Sequence, residues 1–292
     1  MRLRCSLKFI SVYLTFMKFH SLLFLSVLII NFGCRSPSTT EDKLAETSKS
    51  VVNSRFQSIL DSSLVRGSIL IFYSKKQTFF SNDFDWAQKS FLPASTFKIA
   101  NSINALENGI VKNDNSMFYW DGEPKFLKSW EQDMNFYQAY QRSCVPCYQE
   151  IARKTGVEKM TATLSKIGYP GMVFDSSSID QFWLEGASKI SQFEQIDFLR
   201  RLEAKELAVS EKTYGIMKKI MLLNETKDYK LLGKTGWAVN RDDNIGWFVG
   251  YAVTKENTYF MATNIKPTDD FDMSQFGEIR MEVTLKALAG LK

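Results

Sequence analysis

The chain has 292 residues and is 45% hydrophobic, too apolar for a disordered chain and long enough for one large domain or two small ones. Its formal charge of +5 is concentrated at the start, where residues 1–33 hold Arg2, Arg4, Lys8 and Lys18 and no acid. Taking those four from 37 basic residues leaves 33 against 32 acidic, a net of +1; there is no basic surplus to attract nucleic acid, and no nucleic-acid-binding motif.

Residues 21–32 form an almost unbroken apolar run behind scattered cations, too short to span a bilayer comfortably and flanked like an export signal. Residues 1–33 are read as that signal, with Met17 as an alternative start that gives a compact leader. Gly33-Cys34 offers a lipid-accepting cysteine. Lipidation at Cys34 and simple cleavage nearby both stay open, and the nearly apolar-free stretch 35–50 favours a membrane anchor with a flexible tether over 34–50. The expected location is the periplasm, free or anchored. A catalytic domain would then occupy 51–292.

Residues 51–60 read as a helix with Val52, Phe56, Ile59 and Leu60 on one face. Residues 67–73 are β-rich, with 77–82 as a hairpin partner. Helical signals dominate from Thr96 to about Asn224. Three apolar β-rich runs follow at 229–237, 245–253 and 258–265, separated by short polar turns that imply antiparallel pairing. A last helix is expected over 273–291. Strands at both ends with helices between them give an α+β fold: an antiparallel sheet flanked by terminal helices, plus a helical subdomain.

The one histidine is His20, inside the leader. The exported chain therefore has no Ser-His-Asp triad, Cys-His dyad or His-bearing zinc site, and a hydrolytic base must be Lys, Asp, Glu or Tyr. No metal is expected. Three motifs fit that exclusion. Pro93-Ala94-Ser95-Thr96-Phe97-Lys98 starts a helix and sets Ser95 and Lys98 one turn apart on one face. Phe97, Ile99 and Ala100 flank Lys98, and burial among them would leave a neutral, reactive amine. Ser143-Cys144-Val145 heads another helix, where Ser143 is either an N-cap or a proton relay. Lys234-Thr235-Gly236 lies in a strand, its glycine allowing close backbone approach and its polar pair suiting a carboxylate.

Together these motifs form the set used by penicillin-recognising acyl-transferases. From about Gly67 to the C-terminus the chain resembles the class D (OXA-type) serine β-lactamases. The resemblance rests on F-L-P-A-S-T-F-K-I-A-N-S (91–102), W-D-G-E-P-K-F-L-K-S-W-E-Q-D (120–133) and S-C-V-P-C-Y-Q-E-I-A-R (143–153). It continues in F-W-L-E-G (182–186), G-K-T-G-W-A (233–238) and I-G-W-F-V-G (245–250). It implies the penicillin-recognising serine transpeptidase-like fold and hydrolysis of a β-lactam through an acyl-enzyme on Ser95. Lys98 would be the base after reacting with carbon dioxide or bicarbonate to a carbamate (N6-carboxylysine), with no other cofactor. Trp183 would donate to that carbamate, Val145 would wall its pocket, and Ser143 would pass the proton to the leaving nitrogen. Lys234, Thr235 and Arg280 would hold the substrate carboxylate beside Gly236. Backbone N–H groups of Ser95 and Trp237 would form an oxyanion hole, donors worth about 3–4 kcal/mol each.

The chain departs from the family where Tyr169-Pro170-Gly171 replaces Tyr-Gly-Asn, which bears on turnover and substrate range. Cys144-Val145-Pro146-Cys147 is read as two small buried residues ahead of a redox motif, with a disulfide open in an oxidising compartment. Lys218-Lys219 and Arg200-Arg201 read as solvated helix faces. The alternative to an enzyme is a β-lactam-sensing module that is acylated without turnover.

Overall fold

In the computed structural model, which describes residues 48–240 and 243–291, the first described element is a strand where a helix was expected. The leader and Cys34 lie outside the described residues. Strand β1 (Lys49–Val52) takes Lys49 and Ser50 out of the expected tether and Val51 and Val52 out of the expected helix. It pairs in parallel with β3 (Thr78–Ser81), Val51 opposite Phe80 and Val52 opposite Ser81. The β-branched pair favours this extended backbone, and both side chains are exposed, so neither belongs to a buried helical face. Asn53 then stops the strand and starts helix α1 (Ser54–Ser62), its Oδ1 accepting from Arg55 N at 3.1 Å.

The seven-stranded sheet also contains β2 (Val65–Tyr73), β6 (Leu222–Glu225), β7 (Tyr229–Asn240), β8 (Asp243–Thr254) and β9 (Thr258–Pro267). Its order is β1-β3-β2-β9-β8-β7-β6. All neighbours are antiparallel except β1 and β3, so the sheet is mixed and the purely antiparallel expectation is corrected at one edge.

Both faces of the central strands are covered, which explains why β2 reads as a continuous apolar run instead of alternating. On one face Ile69, Ile71, Phe248 and Met261 pack with Phe56 and Leu60 of α1 and with Phe276, Val283 and Ala287 of α8 (Phe276–Ala289). On the other, Leu70, Phe72, Val249, Phe260 and Ala262 join the core of the helical region. That region comprises α2 (Phe84–Gln88), α3 (Lys98–Glu107), α4 (Phe136–Gln141), α5 (Val145–Lys166), α6 (Gln192–Glu203) and α7 (Glu211–Met221). The last helix starts later than expected, a short 3-10 turn (Met273–Gln275) preceding α8.

The middle of the chain is less helical than its apolar content suggests. Residues 108–133 and 168–190 are largely irregular and hold the small hairpin strand β4 (Met117–Phe118), paired with β5 (Met134–Asn135). Short polar side chains compete with helical hydrogen bonds there: Ser116 Oγ accepts from Lys112 N and Asn113 N, and Asp175 Oδ1 accepts from Ser177 N and Ser178 N. Arg201, expected on a solvated face, instead donates to Asp197 and to the carbonyls of Ile167 and Gly168, fixing the turn that ends α5. No helix among the described residues is long and apolar enough to cross a membrane.

Phe56 is fully buried between α1 and the sheet face that lies away from the helical region. Phe56→Ala is expected to cost about 3–5 kcal/mol by cavity formation, read as a lower midpoint in thermal denaturation. Activity per folded molecule should be unchanged at low temperature; a loss of activity without a loss of stability would contradict this division of the core.

Candidate active site

Ser95 sits in a tight 3-10 turn (Ala94–Phe97) that runs into α3 at Lys98, not in the first turn of an α-helix. Ala94, just before it, has φ +50°, a left-handed conformation that costs a non-glycine residue about 1–2 kcal/mol. Such a conformation persists only where the surroundings over-determine it. Here Thr96 N and Oγ1 both donate to Pro93 O, at 3.2 and 2.6 Å. Buried Gln195 of α6 donates to Thr96 Oγ1 at 2.9 Å, and Trp247 of β8 donates to Leu92 O at 2.9 Å. Sequence reading missed Gln195 and Trp247, because the partners are 99 and 155 residues away.

Lys98 Nζ donates to Ser95 Oγ at 2.9 Å. Lys98 is fully buried, and the ring of Tyr148 lies 5.1 Å beneath its nitrogen. Burial first, and the charge of Lys234 second, hold its pKa well below the ordinary lysine value. A neutral amine touching a hydroxyl can accept its proton, and no histidine is present among the described residues. Trp183 is fully buried and stacks on Phe97, the neighbour of Lys98, at 5.5 Å. Its indole Nε1 is buried and has no hydrogen-bond partner among the described residues, an unusual state for a core donor.

The third motif lies directly against the nucleophile turn. A Cβ on Gly236 would meet Thr96 Cγ2 at 3.0 Å and Pro93 O at 3.2 Å, so glycine is what lets β7 approach. Lys234 is buried, its Nζ 5.8 Å from the ring centroid of Tyr140, and its pKa is pulled down to about 7 by burial and by Arg280. Arg280 of α8 donates to Gly236 O at 2.7 Å and, through Nε and Nη2, to Gly277 O, while its guanidinium lies 5.7 Å from the Trp237 ring. Thus Lys234, Gly236, Trp237 and Arg280 are brought together. Arg280 still has N–H groups free of these carbonyls, since a guanidinium carries five.

Ser143 lies just past α4, with φ +55°, and Cys144 rather than Ser143 caps α5. Cys144 and Cys147 are joined by a disulfide, so they are not simply two small buried residues. The segment is held at both ends beside the two lysines. Tyr140, whose carbonyl accepts from Ser143 N, donates its hydroxyl to Gly233 O, and Tyr148 lies under Lys98. Val145 is the first residue of α5, two positions beyond Ser143. In the departing loop, Tyr169 is buried with its ring 5.8 Å from Phe97 and 4.8 Å from Phe198. Gly171 (φ +75°) accepts from Lys189 N.

Comparison with known proteins agrees with this geometry. Residues 64–287 match the penicillin binding protein transpeptidase domain. The chain is 40% identical to β-lactamase OXA-48 of Klebsiella pneumoniae over 206 residues, 70% of this chain and 77% of that one. It is also 40% identical to a class D β-lactamase from Nostoc, with a TM-score of 0.77 over 81% of this chain and 98% of the solved one. The C-terminal domain of the BlaR penicillin receptor of Bacillus licheniformis is 26% identical, with a TM-score of 0.77 over 84% and 97% of the two chains.

Burying an amine for its reactivity opposes stability. Lys98→Met is expected to abolish turnover and to raise stability by about 1–2 kcal/mol in buffer free of carbon dioxide. The folded pKa of Lys98 lies below 10.5, so the folded protein binds fewer protons than the unfolded chain between the two values. Wild-type stability therefore rises with pH through that window, and the advantage of Lys98→Met should shrink as pH approaches 10.5. Denaturation midpoints of both proteins across pH check the sign.

Proposed function

Because the chain belongs to the class D serine β-lactamases, we propose that it hydrolyses the amide of β-lactam antibiotics with Ser95 as nucleophile and Lys98 as base. The observation that carries this reading is the 2.9 Å contact between a buried lysine amine and a serine hydroxyl in a chain whose one histidine lies in the leader.

In this reading Ser95 Oγ loses its proton to the base and bonds to the β-lactam carbonyl carbon. Backbone N–H groups of Ser95 and Trp237 receive the oxyanion. The carbon–nitrogen bond then breaks, and Ser143 delivers a proton to the departing nitrogen. Lys234, Thr235 and the spare N–H groups of Arg280 hold the substrate carboxylate, a task suited to charge-assisted donors. Water then attacks the acyl ester and frees Ser95.

The residues around Lys98 also suit a carbamate. A desolvated neutral amine is the form that adds carbon dioxide, and the unpartnered indole N–H of Trp183 is a donor for the resulting carboxylate. When formed, that group would supply a carboxylate base for both the acylation and the deacylation steps. Val145 is assigned to shelter it. Export completes the reading: the apolar run 21–32 and Cys34 suit a periplasmic protein, lipid-anchored through Cys34.

Steady-state hydrolysis of a chromogenic cephalosporin tests the reaction. Repeated turnover is expected; a stable stoichiometric adduct on Ser95 would instead identify a receptor. Removing dissolved carbon dioxide should lower the rate by roughly tenfold or more, with recovery on adding bicarbonate, in the range typical of a lost acid–base group. Trp183→Ala should raise the bicarbonate concentration needed for half-maximal activity. Full activity in carbon-dioxide-free buffer would rule out the carbamate while leaving Ser95 in place.

A further inference from the structure

The disulfide between Cys144 and Cys147 encloses Val145 and Pro146, and so lies inside the second catalytic motif. Three features of this short segment need an external constraint. Ser143 is a non-glycine residue with φ +55°, a conformation that its own side chain disfavours. The next residue caps a helix, interrupted further on at Gly156, without an oxygen: Cys144 Sγ accepts from Cys147 N at 3.2 Å, and sulfur is a weak acceptor. The first helical residue, Val145, is β-branched and a poor helix former. The backbone bonds Ser143 N to Tyr140 O and Cys144 N to Ala139 O tie the segment to α4, but they do not tie it to α5. One long backbone bond does, Tyr148 N donating to Cys144 O at 3.3 Å, and the disulfide adds a covalent link from the cap residue to the first turn of that helix.

The geometry assigns the Cys144–Cys147 disulfide as the positioning element for Ser143, making acylation by this chain dependent on its oxidation state. The proposal rests on the reading of Ser143 as the proton relay to the leaving nitrogen. Both cysteines are nearly buried, yet both line a surface cleft of about 110 Å³ with Trp120 and Trp130, the side from which a small reductant would approach. Reduction by a dithiol breaks the S–S bond and delivers two electrons and two protons, one proton to each cysteine, and the dithiol leaves as its own disulfide. Without the cross-link the first turn of α5 loses its covalent cap, and Ser143 can relax out of the left-handed region. Ser95 and Lys98 lie on a different turn, pinned by Thr96, Gln195 and Trp247, and keep their contact. Loss of Ser143 positioning should therefore slow ring opening and proton delivery, and leave hydrolysis of the acyl ester little changed.

Rapid-mixing kinetics on the oxidised full chain and on the same chain reduced with dithiothreitol separate these steps, with maleimide labelling to count free thiols. Reduced protein is expected to acylate roughly tenfold to a hundredfold more slowly, the range for a displaced catalytic group. Its deacylation should be unchanged and its acylation restored on reoxidation. The double variant Cys144→Val/Cys147→Val should match the reduced protein and ignore dithiothreitol, and it supplies the answer where the bond resists reduction. Acylation by the reduced protein, or by the double variant, at the oxidised rate would overturn the proposal. Ser143→Ala distinguishes the two levels: normal acylation by that variant removes the relay reading itself, whereas slow acylation by it beside redox-indifferent wild type removes the disulfide's role alone.

Discussion

The site is organised around one amine kept out of water. Lys98 is fully buried, and that burial holds its pKa well below that of a solvated lysine. That burial carries a stability cost, and much of the surrounding structure serves to hold the amine against Ser95 despite it. The strained Ala94 backbone, the Thr96 bonds to Pro93 and the amide of Gln195 all fix the same short turn. The fold supplies rigidity where the chemistry needs a geometry the isolated chain would not adopt.

A second consequence is the division of charge. Lys98, Lys234 and Arg280 converge on one region, and desolvation lowers the pKa of all three. Among the described residues no carboxylate is hydrogen-bonded or ion-paired to any of them. Aromatic faces and backbone carbonyls take the place of counter-ions: Tyr148 beneath Lys98, Tyr140 beneath Lys234, and Trp237 beside Arg280.

The two motif serines share a device. Ser143 has φ +55°, and Ala94 before Ser95 has φ +50°. Each lies in the short link between one element and the next, and each is fixed by contacts distant in sequence or by a covalent bond. The turn of Ser95 is held by hydrogen bonds from α6 and β8, and the residue after Ser143 is disulfide-bonded into the first turn of α5.

The sequence by itself determined the family. A Ser-x-x-Lys at helical spacing and a late Lys-Thr-Gly were legible in it, because those motifs depend on residue type and on spacing within one element. It also determined the long strands, whose apolar runs the sheet buries on both faces. Only the tertiary structure decided what depends on distant neighbours. The strand at Val51 and Val52 exists because β3 is there to pair with it, and apolar residues with turn-forming neighbours could not be told from helices between 108 and 133. That Gln195 holds the Ser95 turn and that Gly236 must be small to meet Thr96 both follow from approaches between elements. Local periodicity does not carry such information, since it records which face of a segment is buried and not what covers it.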